Sequence, residues 1–195
     1  MANLYIFDNF YQDVDSIREN ALQMDFSVVG NYPGHRTSPV YNPIAREKIE
    51  NLIRPFGGKI TDWRLDPEAY NGSFQYTTCM DRSWIHVDSV FNWAGVVYLT
   101  PNAPLSSGTG IFRNKRLGIM EAPKLQNGER DEDLLYEIYD ESGDMTKWDL
   151  VDRIGNVYNR LVLYRADLFH SSLDYFGNNK ENGRLFQTFF FSSEY

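Results

Sequence analysis

The sequence predicts a mainly β (α+β) protein, a double-stranded β-helix or jelly roll with N-terminal helices packed on one sheet. Three observations predict it. Of 195 residues, 42% are hydrophobic and 15% aromatic, enough to bury one sizeable core. Helical periodicity is confined to the first third and one later stretch. From Ile60 onward, short runs rich in aromatic and β-branched residues alternate with turn residues, the pattern of antiparallel strands.

The helices come first. Asp13 is placed to cap a helix in which Val14, Ile17, Ala21 and Leu22 share a face. Asn42-Pro43 supplies an N-cap and a first-turn proline for a second helix, whose stripe is Ala45, Ile49, Leu52 and Ile53 and which is expected to stop before Pro55. The candidate strands are Trp63–Leu65, Ser73–Thr78, Trp84–Val87, Phe91–Thr100, Gly110–Arg113, Arg160–Arg165, Leu168–Ser171 and Arg184–Ser192. Strands in this number suggest a double-sheet jelly roll. The polar stretch Glu121–Asn159, with a helical-looking Asp131–Tyr139, reads as an insertion. One domain over 1–195 is expected, with a helical layer over 1–59 and a jelly-roll core over 60–195 interrupted by 121–159.

Composition narrows the chemistry. Cys79 is the only cysteine, so an internal disulfide and thiolate-rich zinc or iron–sulfur sites are excluded by count, and any metal must use nitrogen and oxygen. The 27 acidic and 19 basic residues give a net charge of −8, which disfavours a nucleic-acid partner because such binding draws on neutralised phosphates. No apolar stretch is long enough to cross a bilayer, and Met1–Tyr11 lacks the basic start and apolar middle of a signal peptide, so a soluble cytoplasmic protein without a membrane partner is expected.

The candidate chemistry is metal binding. In His86-Val87-Asp88, at a predicted strand end, side chains two positions apart point the same way with Cα atoms roughly 6–7 Å apart, so both reach one ion. His170 ends the strand–turn–strand run that begins at Leu161, and a rolled sheet brings the two ends together. Two imidazoles and one carboxylate leave coordination positions open, as oxygen activation with a chelating co-substrate requires. The same donors suit manganese, cobalt, nickel and zinc. His35, in the loop Asn31–Arg36, has no partner at a useful spacing and reads as a surface residue.

Several elements then fall in a telling order between Phe74 and Phe191: a tyrosine-bearing strand, His86-x-Asp88, Ala94-Gly95-Val96-Val97-Tyr98-Leu99-Thr100, the Gly-Thr-Gly-Ile-Phe-Arg run from Gly108, His170 and Arg184. In this the sequence resembles the 2-oxoglutarate/iron(II) oxygenase superfamily, nearest its prolyl-4-hydroxylase-like branch. The resemblance implies Fe(II) held by His86, Asp88 and His170, with 2-oxoglutarate and O2 as co-substrates. It implies that Arg184, fourteen residues after His170, holds the distal carboxylate of 2-oxoglutarate, with Tyr98 sharing that carboxylate and Tyr76 lining the pocket. Thr188, on the face of Arg184 in a regular strand, is a further carboxylate ligand candidate. Trp84, Trp93, Phe112 and Arg113 are candidates to face the substrate.

Members that dealkylate nucleic acids carry a second arginine six residues after the first, where this chain has Phe190. Collagen-type prolyl hydroxylases use a lysine where this chain has Arg184. The implied activity is hydroxylation of a protein side chain, an amino acid or a small metabolite, a range within which the sequence leaves both substrate and oligomeric state open. The rival readings are a cupin-like or zinc-dependent enzyme using the same three ligands, with Arg184 structural, and a jelly-roll binding module without catalysis.

Overall fold

The structure is a computed structural model, and it describes residues 3–88 and 90–194. The ends of the domain expected over 1–195, and the first two residues of Met1–Tyr11, lie outside the described residues.

Two antiparallel sheets form the protein. The larger runs β1 (Leu4–Phe7), β8 (Leu161–Arg165), β5 (Trp93–Tyr98), β10 (Arg184–Ser193), β4 (Phe74–Thr77) and β2 (His35–Arg36), with β3 (Ile60–Asp62) beside the far end of β10. The smaller runs β7 (Trp148–Ile154), β6 (Thr109–Asn114) and β9 (His170–Ser172). This is the jelly roll predicted from the strand pattern.

The central strands read as continuous apolar runs because both of their faces are covered. Trp93, Val97 and Leu99 point to one side of the larger sheet, with Leu161, Leu163, Leu185, Phe189 and Phe191. There they meet α1 (Val14–Leu22) and α2 (Pro43–Gly57) through Ala21, Ala45, Ile49 and Ile53. Ala94, Val96, Tyr98, Val162, Tyr164 and Phe186 point to the other side and pack with Ile111 and Ile154 of the smaller sheet. Beyond that sheet, Leu135 and Ile138 of α3 (Glu132–Tyr139) cover Phe112, Trp148 and Phe169. Phe189 is fully buried in the helix-side core. Phe189→Ala is expected to cost about 3–5 kcal/mol of stability, read by urea unfolding.

Both capping residues act as predicted: the Asp13 side chain accepts from Ser16 N–H, and that of Asn42 from Ala45 N–H. The second helix does not stop before Pro55 but continues to Gly57, because a proline in the last turn forfeits only one ladder bond; the chain then turns at Gly58 with φ 71°. The strand expected over Trp63–Leu65 lies earlier, at Ile60–Asp62, and the Trp63 ring packs against Phe189 and Phe191. The strand expected over Trp84–Val87 is reduced to a single bridge, His86 with His170.

Strands β1, β2 and β7 were not predicted. β7 lies inside the stretch set apart as an insertion, and the structure corrects that boundary: Trp148 to Ile154 pair with Asn114 to Thr109 as the edge of the smaller sheet. Only the two ends of β7 are buried, so its charged middle shows no alternation to detect. Among the described residues no helix is long and apolar enough to cross a membrane.

Candidate metal centre and its cleft

The two histidines are joined by their own backbones. His86 N–H donates to His170 O at 3.0 Å and His170 N–H donates to His86 O at 2.9 Å, one antiparallel rung that aligns two distant segments. Their rings lie 4.4 Å apart between centroids. Two residues on, Asp88 N–H bonds Ala166 O at 2.8 Å and turns the carboxylate to the same place. Each of the three side chains offers one ligand atom, and all three atoms lie within 4.8 Å of one another. Asp88 Oδ2 is 3.3 Å from His170 Nε2.

The donor set fits a metal in tautomer as well as in distance. His86 Nδ1 lies 2.9 Å from Trp84 O, and His170 Nδ1 lies 2.8 Å from Leu168 O. A carbonyl only accepts, so each Nδ1 carries the proton and each Nε2 lone pair is left for a cation. Burial, reinforced by the adjacent His170, pushes His86 down to about 4, which keeps it neutral at physiological pH. Burial alone would raise the Asp88 carboxyl; in the metal-free protein the neighbouring His170, when its Nε2 carries a proton in place of a cation, together with His86 and Arg36, more than offsets this and holds it below its usual range.

A pH dependence follows. A histidine with a depressed folded pKa takes up protons on unfolding, so its contribution to stability is present above the unfolded value of 6.5 and is lost as pH falls toward 4. Metal-free protein is expected to melt at progressively lower temperature between pH 7 and 4.5, and His86→Gln to flatten that slope.

The three residues line one cavity of about 760 Å³, within the range of small-molecule sites. Arg184 lines it too and is 1% exposed. Its Nε donates to Ser107 O at 2.9 Å and its Nη2 to Gly108 O at 3.4 Å, its plane lies over the Phe186 ring at 4.3 Å, and its buried Nη1 has no partner. No carboxylate among the described residues pairs with it. Gly108 itself is packed against the end of β7, where a Cβ would stand 1.8 Å from Ile154 O. Tyr98 is buried beside it, its hydroxyl 2.7 Å from Thr109 Oγ1 and its ring centroid 5.4 Å from the guanidinium carbon. Burial raises the Tyr98 pKa, which keeps that hydroxyl protonated.

Other predicted site residues stand elsewhere. Tyr76 does not line the cavity: its register partner is Leu185, which faces the helices, and its ring stacks on His35 and meets Phe26 edge to face. Its neighbour Gln75 faces the cavity instead, since successive strand residues alternate sides. Thr188 lines the cavity, but its hydroxyl is donated to Tyr70 O at 3.0 Å and Ser73 O at 3.2 Å. Four residues of extended strand, roughly 13 Å, separate it from Arg184. Of the substrate-facing candidates only Trp84 lines the cavity. Trp93 and Phe112 are core residues, and Arg113 is exposed and pairs with Asp149 at 2.8 Å. His35 is exposed as expected, though on β2 rather than in a loop.

Arg36 was missed. It is 7% exposed, lines the cavity, and its guanidinium carbon lies 3.7 Å from the Tyr32 ring centroid and 4.6 Å from that of Tyr70. The only sequence signal was an arginine among tyrosines, and Tyr70 is too distant in the chain to be seen as its partner. Tyr139 and Ser142, from the 121–159 stretch, also line the cavity.

The fold and this cleft define a class: a jelly roll with two histidines and an aspartate gathered between its sheets, the fold of the 2-oxoglutarate/iron(II) oxygenases that the sequence resembles. Solved structures share it, among them two of HygX and one of a prolyl hydroxylase. HygX from Streptomyces hygroscopicus with nickel, 2-oxoglutarate and hygromycin B bound superimposes with a TM-score of 0.58 at 11% identity, covering 99% of this chain and 84% of that one. HygX with iron bound gives 0.56 at 11% identity over 99% and 83%. A prolyl hydroxylase from Trichoplax adhaerens in complex with a hypoxia inducible factor oxygen degradation domain peptide fragment gives 0.50 at 13% identity over 98% and 84%. At such identities the likeness is one of fold. Residues 1–191 match the family described as Family of unknown function (DUF6445), and the chain belongs to it. No curated protein matches it in sequence.

Proposed function

We propose that this protein is a non-haem iron(II) oxygenase that uses 2-oxoglutarate and O2, with His86, Asp88 and His170 as metal ligands and Arg184 as the anchor of the co-substrate's distal carboxylate. The observation that carries the reading is the buried, unpaired Arg184 guanidinium in the same cavity as the three donors. A buried cation without a counter-ion is costly, and a planar fork with a free nitrogen fits a carboxylate supplied from outside. The alternative, a cupin-like or zinc-dependent enzyme with a structural Arg184, leaves that charge unexplained.

Iron(II) with 2-oxoglutarate and O2 supplies an oxidant able to take hydrogen from an unactivated carbon, with release of carbon dioxide and succinate. The chain's own residues set the stage. His86 and His170 present Nε2 because Trp84 O and Leu168 O hold the opposite nitrogens. Asp88 stays anionic at neutral pH. The Tyr164 ring, 4.6 Å from that of His170, is buried against the centre and limits water on that side. Tyr98, its hydroxyl held by Thr109, packs its ring beside the Arg184 guanidinium. The substrate is a small molecule or a peptide side chain entering the open part of the cavity past Trp84.

The test is succinate release from purified protein with Fe(II) and 2-oxoglutarate. Release that depends on both, and is lost in His170→Ala, is expected. Succinate formation that survives His86→Ala or His170→Ala counts against the assignment, as does zinc binding without any uptake of 2-oxoglutarate.

A further inference from the structure

Arg184 is not the only cation in the cleft, and the second has no place in the scheme above. Arg36 sits on the two-residue strand β2, opposite Gln75 of β4, so both side chains lie on the cavity face. Its Nε donates to Gln75 Oε1 at 2.8 Å and Nη2 donates to the same oxygen. The Gln75 amide is fixed in turn by donating to Pro33 O at 2.6 Å. Tyr32 and Tyr70 pack on the guanidinium, and their own rings meet edge to face at 5.5 Å. The group is therefore oriented on one side and flanked by aromatic rings, with its outer end, Nη1 and the second N–H of Nη2, left without a protein partner among the described residues.

Such a group needs an anion. Arg36 forms no ion pair among the described residues, and the one acid whose field reaches it is Asp88, whose charge is committed to the metal in the proposed reading. Arg36, His86 and Asp88 line the same cavity, so whatever Arg36 binds there shares the cavity with the metal centre. Two parallel N–H bonds at the end of a guanidinium match the two oxygens of a carboxylate.

We propose that Arg36, oriented by Gln75 and flanked by Tyr32 and Tyr70, binds a carboxylate of the substrate and so sets which carbon faces the metal. This rests on the oxygenase reading for the identity of the reaction. It assigns the cavity two anionic guests, 2-oxoglutarate at Arg184 and a carboxylate-bearing substrate at Arg36.

The test separates the two. Isothermal titration of wild-type protein with Ni(II) and then 2-oxoglutarate reports on the oxygenase reading alone, and failure to bind both removes that reading. The common L-amino acids and simple aliphatic acids are then titrated against their primary amides, on both the loaded and the metal-free protein. The expected result is at least one carboxylate that binds at least about tenfold more tightly than its amide. In Arg36→Gln this preference is lost, while Ni(II) and 2-oxoglutarate affinities stay within about twofold. Arg36→Lys, which keeps the charge but not the fork, is expected to bind weakly, and it serves if Arg36→Gln does not fold. If no acid is preferred over its amide in either form of the protein, the proposal is overturned. Loss of 2-oxoglutarate binding in Arg36→Gln overturns it as well, by moving Arg36 to the co-substrate.

Discussion

Asp88→Ala is expected to lose metal affinity by more than about 100-fold and turnover altogether, since even the loss of a partner that merely orients a ligand costs 10–100-fold. Asp88 is the only anion among the three donors, and without it two neutral imidazoles face a divalent cation. The substitution should leave the chain folded, because what pins this segment is the main-chain bond from residue 88 N–H to Ala166 O, which alanine retains. Anaerobic titration with Fe(II), or aerobic titration with Ni(II), measures the loss directly. A variant that binds metal as tightly as the wild type would place the centre elsewhere.

Arg184→Ala is expected to divide the functions differently. Metal affinity should stay within about twofold, whereas 2-oxoglutarate affinity should fall at least about 30-fold, the lower end of the 2–5 kcal/mol that loss of one partner in a buried charge pair costs. The free protein shows why the effect is specific: Nε and Nη2 are occupied by the carbonyls of Ser107 and Gly108, and Nη1 alone is buried without a partner. Titrating 2-oxoglutarate into Ni(II)-loaded variant and wild type gives both numbers. Equal losses of metal and co-substrate would show that Arg184 supports the fold rather than the ligand.

Much of this was legible in the residues. His86-x-Asp88 is a local pattern whose geometry follows from a two-residue repeat, and the caps at Asp13 and Asn42 name their helices directly. Arg184 stood out as a charge opening a greasy strand. What was not legible depended on register and on distant partners. Distance from His86 in the chain did not tell which side of β4 Tyr76 takes; its pairing with Leu185 did, and that pairing turns it to the helices. Trp93 followed the same alternation to the helix side, where its indole N–H donates to Ser193 Oγ at 2.9 Å. Thr188 shares a face with Arg184, but the loop at Tyr70–Ser73 takes its hydroxyl, and no local signal announces that loop. Arg36 became a site residue only when β2 aligned with β4 and brought Gln75 and Tyr70 around it.

The reciprocal rung between His86 and His170 has a mechanical meaning. Because the same pair of amides sets the spacing of both imidazoles, the two nitrogens separate only if this rung at the edge of the smaller sheet breaks. An ion seated there would hold the rung closed. It would add to the work of breaking it in proportion to the logarithm of its concentration over its dissociation constant. Heat resistance titrated against metal would thus read, from outside, how firmly this sheet edge is held.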